Sequence, residues 1–132
     1  MNKTIFISAC ILGLLAVVFG AFGAHGLKEL VAATSVSSFE TGVRYQMYHV
    51  FLLFVLGLLP NIAMRIKRIV YYLVISGVVL FSFSIYLLAI NSLLDFNFKI
   101  IAFITPIGGA LLIGAWGVLG YHIYKKKDSD IV

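Results

Sequence analysis

Four long apolar runs, separated by short polar stretches, fill almost the whole chain. They cover residues 4–24, 43–59, 69–90 and 100–124. Each run is close to or above the roughly 17–25 residues that a helix needs to cross a bilayer core. Hydrophobic residues make up 62% of the chain, far more than a water-soluble domain carries. The pattern predicts an all-α integral membrane protein with four spans.

The predicted spans leave almost no chain outside the membrane. Lipid offers no hydrogen-bond partner to the backbone, so helices are favoured, and the short alternating segments of a barrel are absent from the sequence. We therefore expect one membrane domain, residues 1–132, folded as a four-helix bundle. Its second helix is predicted over 38–59, because Ser37 and Glu40 fit a capping box and Pro60 would end the helix.

The basic residues lie at the ends of the predicted spans and are unevenly divided between the two sides. Seven fall on one side, namely Lys3, Arg65, Lys67, Arg68, Lys125, Lys126 and Lys127, and three on the other, namely Lys28, Arg44 and Lys99. An excess of Lys and Arg marks the cytoplasmic side, so both termini are predicted to be cytoplasmic. Apart from Lys3, the cytoplasmic basic residues are candidates for contact with anionic lipid headgroups, and nothing in their arrangement indicates a nucleic-acid partner.

Polar residues at span depth are costly, and here they concentrate in the predicted outer half of the bundle. They are His25, Arg44, Tyr45, Gln46, His49, Ser82, Ser84, Tyr86 and Thr105. Two interpretations stay open for this set. It can form an interhelical hydrogen-bond network that fixes helix register, or a binding site for a small molecule, a lipid headgroup or an ion.

The acidic residues argue against catalysis. All five lie in predicted loops or tails, at Glu29, Glu40, Asp95, Asp128 and Asp130. No acid is thus available at depth for a catalytic set or a proton-coupled exchanger. Phosphate-loop and zinc-hydrolase motifs are also absent from the sequence. We expect a protein that is not an enzyme and that holds no metal or cofactor. The pair His25 and His49 is only a weak indication of a haem or redox module.

The fourth span has two unusual features. Thr105-Pro106 either starts a regular helix or lies within a longer one, and the sequence leaves both open. A helix starting at Pro106 could present its N-terminus to an anion, which supports a channel or transporter. Small residues at Ala110, Gly114, Gly117 and Gly120 indicate close helix packing.

Four motifs, one in each predicted span, carry a resemblance to a known family. They read GAFGAHGL at 20–27, YQMYH at 45–49, FSFSIY at 81–86 and ITPIGG at 104–109, followed by Gly114 and Trp116. This set resembles the YgdD/YwdK-like family of small bacterial inner-membrane proteins, which is similar to eukaryotic transmembrane protein 256. Phe83 departs from it, since the family pattern usually has glycine there. The resemblance implies a four-helix fold in the bacterial cytoplasmic membrane and implies no reaction.

These observations favour a non-enzymatic membrane protein that acts through helix packing, as an accessory to other membrane proteins or by affecting membrane integrity. A small channel or transporter that uses the outer polar residues, and that needs a homo-oligomer, is the alternative. A haem-binding or redox module is the third hypothesis.

Overall fold

The computed structural model describes residues 1–94 and 99–126, and in these every regular element is helical. The five α-helices are α1 Asn2–Ala24, α2 Ala33–Leu58, α3 Met64–Val78, α4 Ser84–Ala89 and α5 Lys99–Tyr124. A π-helical turn, Val79–Phe83, joins α3 to α4, and two short 3-10 turns lie at Leu27–Glu29 and Asn91–Leu93. The predicted all-α class is confirmed.

Three segments of the described chain are long and apolar enough to cross a membrane. They are Asn2–Glu29, Met64–Ala89 and Lys99–Tyr124. The helix α2 has 26 residues but is not among them. Even its most apolar stretch carries Arg44, Gln46 and His49, which lower its hydropathy. The four-span bundle therefore stays a prediction.

The start of α2 was predicted wrongly. The helix begins at Ala33, five residues before the predicted Ser38, so Ser37 and Glu40 lie inside it and form no cap. The hydroxyl of Ser38 donates to the Thr34 carbonyl oxygen at 3.0 Å. Such bonds to the preceding turn satisfy hydroxyls within a helix, so a polar sequence that resembles a loop can be helical.

The third apolar run forms one long rod, α3, the π-helical turn and α4, which begins at Met64 rather than at residue 69. The π-helical turn is where α5 approaches most closely. A Cβ built on Gly108 would lie only 2.4 Å from the backbone nitrogen of Phe81 and 2.6 Å from the carbonyl carbon of Leu80. Glycine is strongly favoured at position 108, because a side chain there would overlap backbone atoms, which would have to shift.

Pro106 lies inside α5, which runs unbroken from Lys99 to Tyr124. Of the two alternatives open at the sequence level, the longer helix is the one observed. The exposed helix N-terminus that would have attracted an anion at Pro106 is absent from this continuous helix, so that argument for a channel was wrong.

The helices α1 and α2 pack antiparallel, so residues that face each other lie at the same height along the two helix axes. Gly13 faces Val50, Gly20 faces Val43 and Gly23 faces Phe39. The main apolar core contains Ile5, Leu53, Leu56, Val74, Val78 and Leu112, which come from α1, α2, α3 and α5. A second, smaller core forms around Leu27, Phe39, Tyr86 and Ala89 at the other end of the fold.

Candidate functional site

Gln46 is the centre of the buried polar groups. Its side chain is fully buried, and its Nε2 donates to the Leu12 carbonyl oxygen of α1 at 2.7 Å. Its Oε1 accepts from the Tyr86 hydroxyl of α4, also at 2.7 Å. One side chain of α2 thus joins three helices, and its position at 46 sets their register.

His49 joins α2 to α5. Trp116 Nε1 can only donate, so His49 Nε2 is the acceptor in their 3.3 Å hydrogen bond. The proton of the neutral ring is then on Nδ1, which donates to the Tyr45 carbonyl oxygen at 2.7 Å. Both ring nitrogens are used within the protein. The side chain of His49 thus links α2 to α5.

Ser84 joins α4 to α5 at the π-helical turn. Its hydroxyl lies 2.6 Å from the Leu80 carbonyl oxygen, to which it donates, and 2.7 Å from the Thr105 hydroxyl. Ser82, two residues earlier, differs. Its side chain is fully buried, and its hydroxyl has no hydrogen-bond partner in the described part of the chain.

The remaining predicted site residues lie outside this network. Arg44 and Tyr45 are exposed on α2, and His25 is exposed at the end of α1. Gly23 of α1 faces Phe39 of α2, and Gly13 faces Val50. His25 therefore lies at the height of the start of α2, about eleven residues from the height of His49. At 1.5 Å per residue this separates the two histidines by about 16 Å along the helix axes. The two imidazoles cannot share a haem or metal, and the haem hypothesis is wrong in that form. No group of three His, Cys, Asp or Glu side chains within residues 1–94 and 99–126 could hold a metal.

The basic residues near the predicted cytoplasmic side also divide. Lys67 is almost fully buried, and its Nζ lies 3.2 Å from Asn2 Oδ1 and 3.4 Å from the Gly57 carbonyl oxygen. It therefore ties α3 to the ends of α1 and α2, and its predicted role in lipid contact is wrong. Arg65 and Arg68 are exposed, Lys125 stacks over the Tyr121 ring, and Lys126 donates to the Asn61 carbonyl oxygen. Lys127 lies outside the described residues.

The outer face of α5 carries three glycines that contact no other element. A Cβ added at Gly114, Gly117 or Gly120 would meet no described atom within 4 Å. The neighbouring side chains of Ile113, Trp116 and Tyr121 are more than half exposed. We call the surface formed by Gly114, Gly117 and Gly120 the outer glycine face of α5. These glycines were predicted to pack closely against another helix, and within the described chain they do not.

Sequence reasoning did not identify Trp116 as a network residue. Trp116 is the single tryptophan of the chain, and it lies eight residues before the end of α5 rather than at its boundary. An indole N–H at that depth needs an acceptor. This need is the signal that could have paired it with His49.

Comparison with known proteins finds relatives that are named membrane proteins, which agrees with the long apolar helices of this fold. The family model described as a protein of unknown function (DUF423) matches residues 19–109. The chain is 38% identical to UPF0382 membrane protein YwdK of Bacillus subtilis, over 86% of this chain and 90% of that protein. It is 35% identical to UPF0382 inner membrane protein YgdD of Escherichia coli K12, over 98% of this chain and 96% of that protein.

A further relative is a UPF0382 membrane protein of Staphylococcus saprophyticus, which is 37% identical over 93% of this chain and 98% of its own length. No solved structure matches the chain. The family match covers well over half of the sequence, and the relatives align along nearly all of it. The chain therefore belongs to the DUF423 family of membrane proteins of unknown function.

Proposed function

We propose that this protein is a non-enzymatic accessory protein of the bacterial inner membrane, which packs the outer glycine face of α5 against a transmembrane helix of a partner. The inner-membrane location is supported by the relative YgdD of Escherichia coli, which is named an inner membrane protein. The open glycines Gly114, Gly117 and Gly120 are the observation that carries the proposal.

The buried polar network supports a structural role for the interior. Gln46, His49, Ser84 and Tyr86 each bond to another part of the protein, and together these bonds link α1, α2, α4 and α5. Interhelical hydrogen bonds of this kind fix register and contribute about 0.6–2 kcal/mol each. These four side chains therefore use their polar atoms to bond within the described part of the protein. The channel alternative is then supported only by the predicted depth of the polar residues in the membrane.

The outer glycine face supports an external partner. Lipid chains are as apolar as a leucine side chain, so helices associate in membranes through close packing, which small residues permit. Glycine elsewhere in the fold shows this use, since a Cβ on Gly77 would lie 2.5 Å from the Leu112 side chain. The three open glycines are residues of the kind that such a contact uses, but no described helix packs against them.

Co-purification tests the proposal. The tagged wild-type protein is solubilised gently from its own membranes beside Gly117→Leu and the matched control Ala21→Leu, which enlarges an exposed small residue on α1. The expected result is a membrane protein, identified by mass, that accompanies the wild type and Ala21→Leu but not Gly117→Leu. Recovery of one chain alone in all three preparations would contradict the proposal, and recovery of a dimer would identify the partner as a second copy.

We also propose that α2 crosses the membrane, giving four spans in one domain and both termini in the cytoplasm. The two strongly polar residues in its second half do not face lipid, since Gln46 is fully buried and His49 is 4% exposed. At 1.5 Å per residue, 26 residues reach about 39 Å, enough for the hydrocarbon core. A fluorescent protein fused to the C-terminus should fold and fluoresce, and alkaline phosphatase fused there should be inactive. The opposite pattern would place the C-terminus outside the cytoplasm and contradict the proposed topology.

A further inference from the structure

A groove of about 330 Å³ lies between the first half of α2 and α4. One wall carries four hydroxyl groups, those of Thr34, Ser35, Ser38 and Thr41. The other wall is apolar and includes Ile85 and Leu88. A polar wall facing an apolar wall suits an amphipathic molecule, and the volume is within the range of ligand sites.

The hydroxyls of the polar wall still have accepting capacity. Ser38 donates its proton to the Thr34 carbonyl oxygen, and Thr41 donates to the Ser37 carbonyl oxygen, both at 3.0 Å. The oxygen of each hydroxyl keeps lone pairs for a further bond. Thr41 uses one to accept from Arg44 Nη2 at 3.1 Å. The Ser38 oxygen can likewise accept from a hydroxylated ligand in the groove.

Arg44 supplies a positive charge beside Thr41, a residue of the hydroxyl wall. Its side chain is exposed and reaches back towards the start of α2, to Thr41. Thr41 is the one partner that the described residues give to its guanidinium. Glu40, one turn earlier, lines a different groove together with Lys28 and Ser37. A guanidinium has several donors in a fixed fork that fits phosphate, so most of its binding capacity is unused here.

We propose that this groove binds one anionic phospholipid with a hydroxylated headgroup. Its phosphate lies on the Arg44 guanidinium, its headgroup hydroxyls donate to the oxygens of Ser38 and the other hydroxyl groups, and its acyl chain runs along Ile85. Charge complementarity selects this occupant, since a guanidinium whose one partner among the described residues is the Thr41 hydroxyl keeps donors for an anion. This site is on α2 and α4, so it is independent of the partner proposed for the outer glycine face of α5.

Native mass spectrometry of the full-length, delipidated protein tests the site. The probes are phosphatidylglycerol, an uncharged diacylglycerol of the same chains, and inorganic phosphate. We expect the wild type to retain one phosphatidylglycerol at a concentration about tenfold lower than it needs for diacylglycerol, as loss of a charge-assisted bond implies. Arg44→Gln should remove this preference, and Arg44→Lys should keep part of it.

Two matched pairs of variants distinguish binding in the groove from a general effect of added bulk or lost charge. Ser38→Phe fills the groove and should weaken phosphatidylglycerol binding about tenfold, whereas Ser37→Phe faces the other groove and should leave it unchanged. Arg65→Gln, which removes an exposed arginine from α3, should also leave binding unchanged.

Three outcomes would overturn the inference. Equal retention of phosphatidylglycerol and diacylglycerol would show that phosphate is not recognised. Displacement of the lipid by millimolar inorganic phosphate would show a site for the free anion. A dimer that forms when lipid is removed, and that Ser38→Phe abolishes, would place a second chain in the groove.

Discussion

The helix α5 carries glycines in two very different situations. Gly108 is pressed against the π-helical turn, where an added Cβ would lie 2.4 Å from the backbone of Phe81. Gly114, Gly117 and Gly120, on the same helix, have no described atom within 4 Å of an added Cβ. Glycines of one apolar helix can therefore serve two purposes, close packing inside the fold and an open surface outside it. Only the neighbouring elements tell them apart.

The largest effect is expected at the interior glycine. Gly108→Ala places a methyl group into the backbone of Leu80 and Phe81, which has to move. We expect the free energy of unfolding to fall by about 3 kcal/mol, at the upper end for an overpacked site. Unfolding of the purified protein in a denaturing detergent, followed by circular dichroism, measures this. An unchanged transition would mean that α5 does not lie as close to the π-helical turn as described.

The next effect is expected at the centre of the buried network. Gln46→Leu removes the bond to the Leu12 carbonyl oxygen and leaves the Tyr86 hydroxyl buried without its acceptor. The expected loss is about 2 kcal/mol, since an orphaned buried polar group adds to the lost bonds. Tyr86→Phe in the same background should then cost little, because its partner is already gone. Fully additive losses in the double variant would show that the two side chains do not interact.

Two neighbouring serines should respond in opposite directions. Ser84→Ala breaks the link to Thr105 and should cost about 1 kcal/mol. Ser82→Ala removes a buried hydroxyl that has no partner among the described residues, so it should be neutral or slightly stabilising. The same unfolding assay compares them. An equal loss for both would mean that Ser82 has a partner that the described residues do not show.

The smallest effect on folding is expected on the outer glycine face. Gly117→Leu meets open space, so the free energy of unfolding of the isolated chain should change by no more than about 0.5 kcal/mol. A loss as large as that of Gly108→Ala would mean that position 117 is part of the interior.

Helix bounds were predictable where apolar residues define both ends. The first and fourth runs, 4–24 and 100–124, agree with α1 Asn2–Ala24 and α5 Lys99–Tyr124 to within two residues. The start of α2 was not predictable in this way, because Ser38 and Thr41 bond to the preceding turn and so continue a helix through polar sequence. The π-helical turn gives no signal in hydropathy, since its residues are as apolar as those of α3.

The burial of some polar residues was predictable, but the geometry of the candidate site was not. Their predicted depth in the membrane singled out Gln46, Ser84 and Tyr86, and the structure buries all three. The depth of a residue in the membrane does not indicate which side of its helix it lies on. Arg44 and Tyr45 face outwards and Gln46 faces inwards because of the rotation of α2 about its own axis, which the sequence does not give. The burial of Lys67 was missed for the same reason, because it too depends on how a helix is rotated against its neighbours. From sequence alone, a lysine near a helix end is expected in the headgroup region.

The most direct test of the account is photo-cross-linking in native membranes. A photoreactive residue is placed at position 117 on the outer glycine face, or at position 14 on α1, where Leu14 is 64% exposed. We expect a cross-linked protein product of one defined mass from position 117 and only lipid adducts from position 14. Lipid adducts alone from both positions would contradict the proposal that the outer glycine face packs against a partner helix.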